Sequence, residues 1–283
     1  MLGLTLEGGA SRTVFSCGVM DVLLEEGIKA DCVVGVSAGI SFGVSYASGQ
    51  IGRNYRLATE FMPDKRYMGA PHLLNPKNRC LYNLDFVFYE VPEKLLPFDY
   101  EAFRAYPGKI FGVVTNIETG CAEYVEIPRD DHKNKYLRAS CALPILFPII
   151  EIDGKKYMDG GITDSIPYKK AMEEGCDKNI VILTRETGYK KTTDKSTEFA
   201  AHKFRKYEKF AEKLLSRADR YNKNVAELEQ LEREGKVFVF RPDDTSGIGR
   251  TESDPEVLKG LYMKGMECAR ARMPELREYL NRK

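Results

Sequence analysis

The chain has 283 residues with 43 Lys+Arg against 42 Asp+Glu, a net charge of +1 that gives no electrostatic footing for a nucleic-acid binder. With 43% hydrophobic and 11% aromatic residues it is too apolar for a disordered chain. It is long enough to bury one large α/β core, or one core plus an appendage.

Leu2-Gly3-Leu4-Thr5-Leu6 alternates like a short strand, and Glu7-Gly8-Gly9-Ala10-Ser11-Arg12 follows as a glycine-led turn. Cys17 to Glu26 reads as a helix that Gly27 stops. Cys32 to Val36 is a buried strand, and Ala38 to Ser48 a helix of small residues. Strand, helix, strand, helix at this spacing predicts a parallel sheet with helical crossovers. Cys32 to Gly52 carries no charge, and Gly35, Gly39 and Gly43 repeat at a transmembrane-dimer spacing. Five Gly and four Ser in that stretch make it too polar for a spanning helix, so no transmembrane segment is expected.

Residues 55–106 change character. They hold eleven aromatic residues, twice an even share. Two readings follow: an inserted subdomain with its own aromatic core, or a cap lining an apolar substrate cleft. Ile110 to Val114 then reads as a strand leading to a hairpin over Glu118-Thr119-Gly120. Asp153-Gly154, between Ile149–Ile152 and Lys155–Met158, is a two-residue hairpin signal. Ile180 to Leu183 is a further buried strand, and the polar stretch from Lys190 to Ser196 a boundary. Phe204 to Leu231 has a helical period that fits coiled-coil pairing, but one amphipathic helix docked on the main body is the commoner arrangement at this length and is the expectation. Gly235 stops it, and Val237 to Phe240 is one more strand. Ser253-Asp254-Pro255-Glu256 opens a last helical stretch that Pro274 interrupts.

The seven cysteines (Cys17, Cys32, Cys80, Cys121, Cys141, Cys176, Cys268) contain no CxxC pair, so neither a zinc site nor a thioredoxin-like motif is expected. The N-terminus opens in an apolar strand without a charged leader, and reduced cysteines in a cytoplasmic protein are the expectation.

Gly35-Val36-Ser37-Ala38-Gly39 is a G-x-S-x-G sequence with a buried strand before it and a small-residue helix after it. A serine on such a turn exposes its hydroxyl at a helix N-terminus, where the dipole favours negative charge. A structural serine turn is the plain alternative. Ser41, Ser45 and Ser48 lack the junction and read as helix-face residues.

A nucleophilic serine needs a base. His72, His132 and His202 are the chain's histidines, and the late one, His202, lies in a Lys-rich segment. The elbow also has one strand before it where an α/β-hydrolase places several, so a Ser-His-Asp triad does not fit. A carboxylate acting directly on the serine is the economical option, and Met158-Asp159-Gly160-Gly161 supplies one. By itself Asp159 is equally well a turn aspartate bonding its own backbone. Gly8-Gly9-Ala10-Ser11-Arg12 offers backbone N–H groups to an anion, either the oxyanion of acyl transfer or a phosphate. The dinucleotide alternative lacks G-x-G-x-x-G, and no P-loop Lys-Ser/Thr follows.

Together these motifs, with Ala139-Ser140-Cys141-Ala142-Leu143-Pro144 through Phe147-Pro148, resemble the patatin-like phospholipase family over roughly Leu2 to Leu183, closest to its bacterial cytoplasmic members with a helical C-terminal extension. The resemblance implies a three-layer α/β/α fold with a mainly parallel central sheet. It implies a Ser37–Asp159 dyad, the first as nucleophile and the second as proton acceptor, hydrolysing lipid acyl esters with no metal and no cofactor. It also implies an oxyanion hole from Gly8, Gly9 and Ala10, with Arg12 anchoring the loop or meeting an anionic head group. Gly35, Gly39, Gly160 and Gly161 shape the elbow and the Asp loop. The family's loop reads Gly-Gly-Gly-x-Arg/Lys-Gly, whereas this chain has Ala10 and Thr13 at the third and last glycines. If those positions need a left-handed backbone, Ala10 carries a cost of about 1 kcal/mol and β-branched Thr13 more.

The expectation is therefore an acyl hydrolase domain over 1–190, with a cap or insert at 55–106, and a helical extension over 191–283 docked on it. Its partner is a lipid or acyl-ester substrate met through transient contact with a membrane surface. The competing expectations are a weak or inactive acyl-binding module on the same scaffold, motivated by Ala10 and Thr13, and an acyltransferase sharing the dyad.

Overall fold

A computed structural model of the chain describes residues 1–74 and 80–282. Its strands are β1 (Leu2–Leu6), β2 (Cys32–Val36), β3 (Lys109–Asn116), β4 (Cys121–Glu126), β5 (Ile150–Ile152), β6 (Lys155–Asp159), β7 (Lys178–Ile182) and β8 (Phe238–Phe240). Among the described residues they form one eight-stranded sheet in the order β5-β6-β3-β2-β1-β7-β8, with β4 paired to β3. The five strands from β3 to β8 along this order run parallel, whereas β4, β5 and β6 join through antiparallel pairs. Asp153 and Gly154 turn the β5–β6 hairpin with positive φ at both positions (51° and 77°), the geometry a two-residue hairpin demands.

The helices are α1 (Val14–Glu25), α2 (Ala38–Ala47), α3 (Arg53–Arg56), α4 (Tyr100–Ala105), α5 (Lys135–Ser140), α6 (Tyr168–Glu173), α7 (Lys195–Lys203), α8 (Glu208–Leu215), α9 (Arg217–Arg233), α10 (Pro255–Ala271) and α11 (Met273–Asn281). Side-chain parity along the strands sorts them into layers. Leu4, Leu6, Val33, Ile180, Ile182, Phe238 and Phe240 face a core built with α1, α2, α10 and α11. Val181 and Val239 point the other way, onto Tyr168 of α6 and Tyr221, Val225 and Leu228 of α9. The sheet lies between two helical layers, the predicted α/β/α arrangement.

The C-terminal third joins this body through α9 and at two further places. It adds β8 beside β7, and it lays α10 directly on α1. At that crossing a Cβ on Gly265 would stand 2.1 Å from Phe15 O, and one on Gly18 would stand 2.1 Å from Tyr262 O. Backbone meets backbone there, and Tyr262 Oη donates to Asp21 at 2.6 Å beside it. A methyl group at this contact forces the helices apart, an overpacking cost of about 3 kcal/mol. Gly265→Ala is thus expected to lower the melting temperature by several degrees. Gly260→Ala on the same helix, where the Cβ meets open space, is expected to leave it unchanged or slightly raised. Thermal unfolding by circular dichroism of the two variants checks this.

Two sequence expectations are corrected. The span Phe204–Leu231 holds two helices, α8 and α9, rather than one, and α7 ends just before it: the chain bends between α7 and α8 at Phe204–Tyr207 and again at Ser216. Phe204 and Phe210 pack edge to face at 5.1 Å across the first bend. At the second, Ser216 Oγ donates back to Glu212 O at 2.6 Å, a bond that competes with the helical ladder. The apolar period runs through both bends, so periodicity alone does not register them. The aromatic region likewise has no core of its own: Tyr67, Phe86, Phe88, Val91 and Phe103 belong to the main core. Residues 75–79 of that region lie outside the described residues. Its segment Phe86–Leu95 is a wide π-helix containing Pro92, whose missing N–H suits a ladder already displaced.

Candidate active site

The sheet register brings Ser37 and Asp159 together. On one edge of β3, Val113 pairs with Val36, the last residue of β2. The next residue, Val114, pairs with Asp159 at the end of β6. Because β4 occupies the opposite edge of β3, β6 takes over the β2 edge where β2 stops. The residue following Val36 is then set beside Asp159. Ser37 Oγ donates to Asp159 Oδ2 at 2.8 Å.

The elbow holds Ser37 in a strained conformation, φ 55° and ψ −132°, for a non-glycine residue. What supports it lies on all sides. Ser37 N–H donates to Ser140 Oγ at 2.8 Å, and Ser140 Oγ donates to Val113 O at 2.7 Å. A Cβ on Gly39 would stand 2.6 Å from Leu6 O, and one on Gly35 would stand 2.8 Å from Ile40 N. Gly8 packs against Val36 O and Ser37 Cβ, and Gly9 against Thr184. On the Asp side, Gly160 passes so close to Val113 O (2.1 Å from its missing Cβ) that only glycine fits. Asp159 Oδ1 accepts from Gly161 N–H at 2.7 Å, and Asp159 N–H donates to Ala142 O at 2.8 Å.

Asp159 is 1% exposed. Burial pushes its carboxyl above the ordinary aspartate range. The Arg217 guanidinium, the Ser37 hydroxyl and the Gly161 N–H act the other way. Arg217 is held by donating Nε–H to Gly161 O at 2.7 Å. A buried carboxylate with one oxygen on a hydroxyl and one on a backbone N–H is arranged to take that hydroxyl's proton.

The glycine loop faces the same hydroxyl. Ala10 has φ 50°, the left-handed backbone that makes its Cβ a cost, whereas Thr13 is helical at φ −64° and carries none. No acceptor within the described residues takes the N–H groups of Gly8, Gly9 or Ala10. The loop is strapped from the C-terminal side: Arg12 donates to Ile248 O at 3.1 Å, and Ser11 Oγ donates to Arg250 O and Glu252 O at 3.0 and 2.8 Å. Arg12 is buried and anchors the loop. The histidines are elsewhere: His132 meets Glu93, His72 meets Lys65 O, and His202 is exposed on α7.

Two cavities open onto Ser37. One, of about 130 Å³, is walled by apolar and aromatic side chains including Phe42, Leu57, Met62, Phe88, Phe98 and Phe147. That is roughly ten times what a single water requires. The other, of about 40 Å³, contains Asp159 and is walled by Arg12, Lys191, Arg217 and Arg250. Three of these four cations, Lys191, Arg217 and Arg250, and Ser140 belong to no catalytic motif of the sequence. Ser140 sits inside Ala139–Pro144, a segment whose residue types do not by themselves mark a role. The cations are scattered over sixty residues with no spacing to read. Among the described residues no group of His, Cys, Asp or Glu is gathered as metal ligands would be, and no helix is long and apolar enough to cross a membrane.

The family model described as patatin-like phospholipase matches residues 4–172, and one described as a domain of unknown function (DUF6363) matches residues 207–281. The protein YjjU of Escherichia coli is 26% identical over 186 residues, which cover 65% of this chain and 52% of that protein. Lysophospholipase NTE1 of Kluyveromyces lactis is 28% identical over 179 residues, 62% of this chain and 12% of that protein. Its namesake in Saccharomyces cerevisiae is 28% identical over 186 residues, 62% of this chain and 10% of that protein. The chain thus spans about half of the first relative and about a tenth of the other two. Among solved structures, VipD from Legionella pneumophila aligns with a TM-score of 0.46 at 13% identity, covering 95% of this chain and 66% of that one.

Proposed function

The chain belongs to the patatin-like phospholipase family, and from that premise we propose that it is a serine acyl hydrolase cleaving acyl esters of lipids. The carrying observation is the 2.8 Å hydrogen bond from Ser37 Oγ to Asp159 Oδ2. Asp159 takes the hydroxyl proton as Oγ bonds to the ester carbonyl carbon. The N–H groups of Gly8, Gly9 and Ala10 receive the developing oxyanion. The carbonyl–alkoxide bond breaks, the proton passes from Asp159 to the leaving oxygen, and an acyl-Ser37 ester remains. Water then attacks that ester while Asp159 takes its proton, and returning the proton to Oγ frees the acid and restores the serine.

The apolar cavity suits an acyl chain, and relatives named lysophospholipase support a lipid substrate. The same proposal assigns residues 1–190 as the hydrolase unit, 55–106 as its cap and 191–283 as a docked extension. It places the chain in the cytoplasm, where its free cysteines stay reduced, in transient contact with a lipid surface that delivers substrate. The intact Ser37–Asp159 pair favours turnover over an acyl-binding role.

Asp159 must be ionised to act as base, so kcat/KM is expected to fall as pH drops through a value above the ordinary aspartate range. Arg217 is the main charge opposing the burial of Asp159, so Arg217→Met is expected to move that acid limb to higher pH. Rate profiles of both proteins check the sign. A hydrolysis panel of short-chain esters, monoacylglycerols and lysophospholipids tests the function itself. Release of fatty acid from at least one class is expected, and a folded chain that releases none overturns the proposal.

A further inference from the structure

The smaller cavity beside Ser37 collects four cations, Arg12, Lys191, Arg217 and Arg250. Among the described residues none of them is ion-paired to a carboxylate. The carboxylates close by are already engaged, Asp194 near Arg250 by accepting from Ser196 Oγ and Thr197 N–H at 2.8 Å. Asp159 is bound to Ser37 and Gly161, and Glu7 accepts from Thr184 N–H at 2.6 Å. Three of the four, Lys191, Arg217 and Arg250, lie beyond the segment that matches the patatin-like family.

Lys191 and Arg217 are held in place, and Arg250 is fixed through its backbone. Lys191 exchanges two 2.9 Å backbone hydrogen bonds with the Asn222 side chain of α9, and its Nζ lies over the Tyr221 ring, 4.1 Å from the centroid. Arg217 is fixed to Gly161 O, and the Arg250 backbone is bonded by Ser11. Burial, then the charge of Arg217, pushes the Lys191 ammonium down to about 7; Arg250 and Arg12 add to this, and Glu7 opposes it. Burial, with the neighbouring cations adding to it, weakens the hold of Lys191 on its proton, and an arriving anion acts the other way.

Ser37 and Ala10 line both cavities. An ester with its acyl chain in the apolar cavity and its carbonyl at Ser37 Oγ therefore directs its alcohol portion into the basic one. We propose that this pocket seats a phosphate carried by that alcohol portion. The preferred substrates are then small acyl glycerol phosphates rather than neutral or zwitterionic lipids. The inference rests on the hydrolase reading given above. About 40 Å³ suits a phosphate on a three-carbon backbone. Among the described residues no aromatic ring that would cradle a quaternary ammonium lines this cavity. Free inorganic phosphate has the same chemistry, so the test separates the two sources.

Lys191→Met removes the charge while keeping an unbranched apolar side chain beside Tyr221, and Arg250→Gln alters an exposed side chain. In the Ser37→Ala background, calorimetric titration with glycerol phosphate is expected to saturate, more tightly than with inorganic phosphate. Each cation variant is expected to weaken it about tenfold. With Ser37 present, the ratio of kcat/KM for 1-acylglycerol phosphate to that for the matching monoacylglycerol is expected to fall about tenfold in each variant. Hydrolysis of both lipids with the ratio unchanged in both folded variants overturns the inference and leaves the hydrolase reading standing. Tighter binding of inorganic phosphate with that same unchanged ratio also overturns it, making the pocket an effector site. Saturable glycerol phosphate binding that both variants weaken, in a chain that hydrolyses no ester, supports the pocket while the hydrolase reading fails.

Discussion

Replacing Ser37 by alanine is expected to lower ester turnover by on the order of 10⁶, to the level left by binding and the oxyanion donors alone. No neighbouring hydroxyl can substitute. Ser41 Oγ lies 3.2 Å from Cys141 Sγ, and Ser140 Oγ is committed to Ser37 N–H and Val113 O. Cys141 is no rescue nucleophile either, because burial pushes its thiol up to about 12. The fold is expected to tolerate the change well. Alanine at φ 55° is strained much as serine is, and the hydrogen bond lost is the one to Asp159. Initial-rate assays of the purified variant, with circular dichroism to show that it folds, check both halves.

Asp159→Asn is the second large effect, and its two readouts move apart. Asparagine keeps an oxygen for the Gly161 N–H and offers Ser37 Oγ a donor instead of an acceptor, so the proton has nowhere to go. A loss of ~10⁴ in kcat is expected, comparable to that measured when a triad aspartate elsewhere is made an amide. Stability moves otherwise. Burial raises the folded-state pKa of Asp159, so the stability linked to its protonated form is full below the unfolded aspartate value and is lost as pH rises through the folded one. Near neutral pH the ionised carboxylate is therefore a cost that asparagine does not carry. The Asp159→Asn variant is expected to melt at the same temperature as the parent or higher, with a flatter dependence of melting temperature on pH. Equal losses of activity and stability would mean that Asp159 is there for the fold.

Both residues were legible in the sequence, for different reasons. The elbow announces itself because a serine between a buried strand and a small-residue helix needs Gly35 and Gly39 where the backbones touch. Asp159 was legible as a candidate because the histidines were misplaced, and as the partner of Ser37 only through the family resemblance; its register opposite Val114 is a tertiary fact. The hairpin at Asp153-Gly154 and the parallel strands were readable because turn chemistry and continuous apolar runs are local. The bends at Phe204–Tyr207 and Ser216 were not, because they preserve the apolar period. The left-handed backbone at Ala10 was readable as a condition, and the structure meets it at Ala10 while sparing Thr13. The basic pocket was wholly hidden. Lys191, Arg217 and Arg250 sit among many charges that balance to +1, and only folding separates these three from their acidic neighbours.

The most direct test of the proposed chemistry is covalent. The folded protein is incubated with a fluorophosphonate and analysed by intact mass and peptide mapping. A single adduct on Ser37 is predicted, absent in Ser37→Ala and strongly slowed in Asp159→Asn. A folded chain that takes no adduct, or one whose adduct persists when Ser37 is alanine, contradicts it.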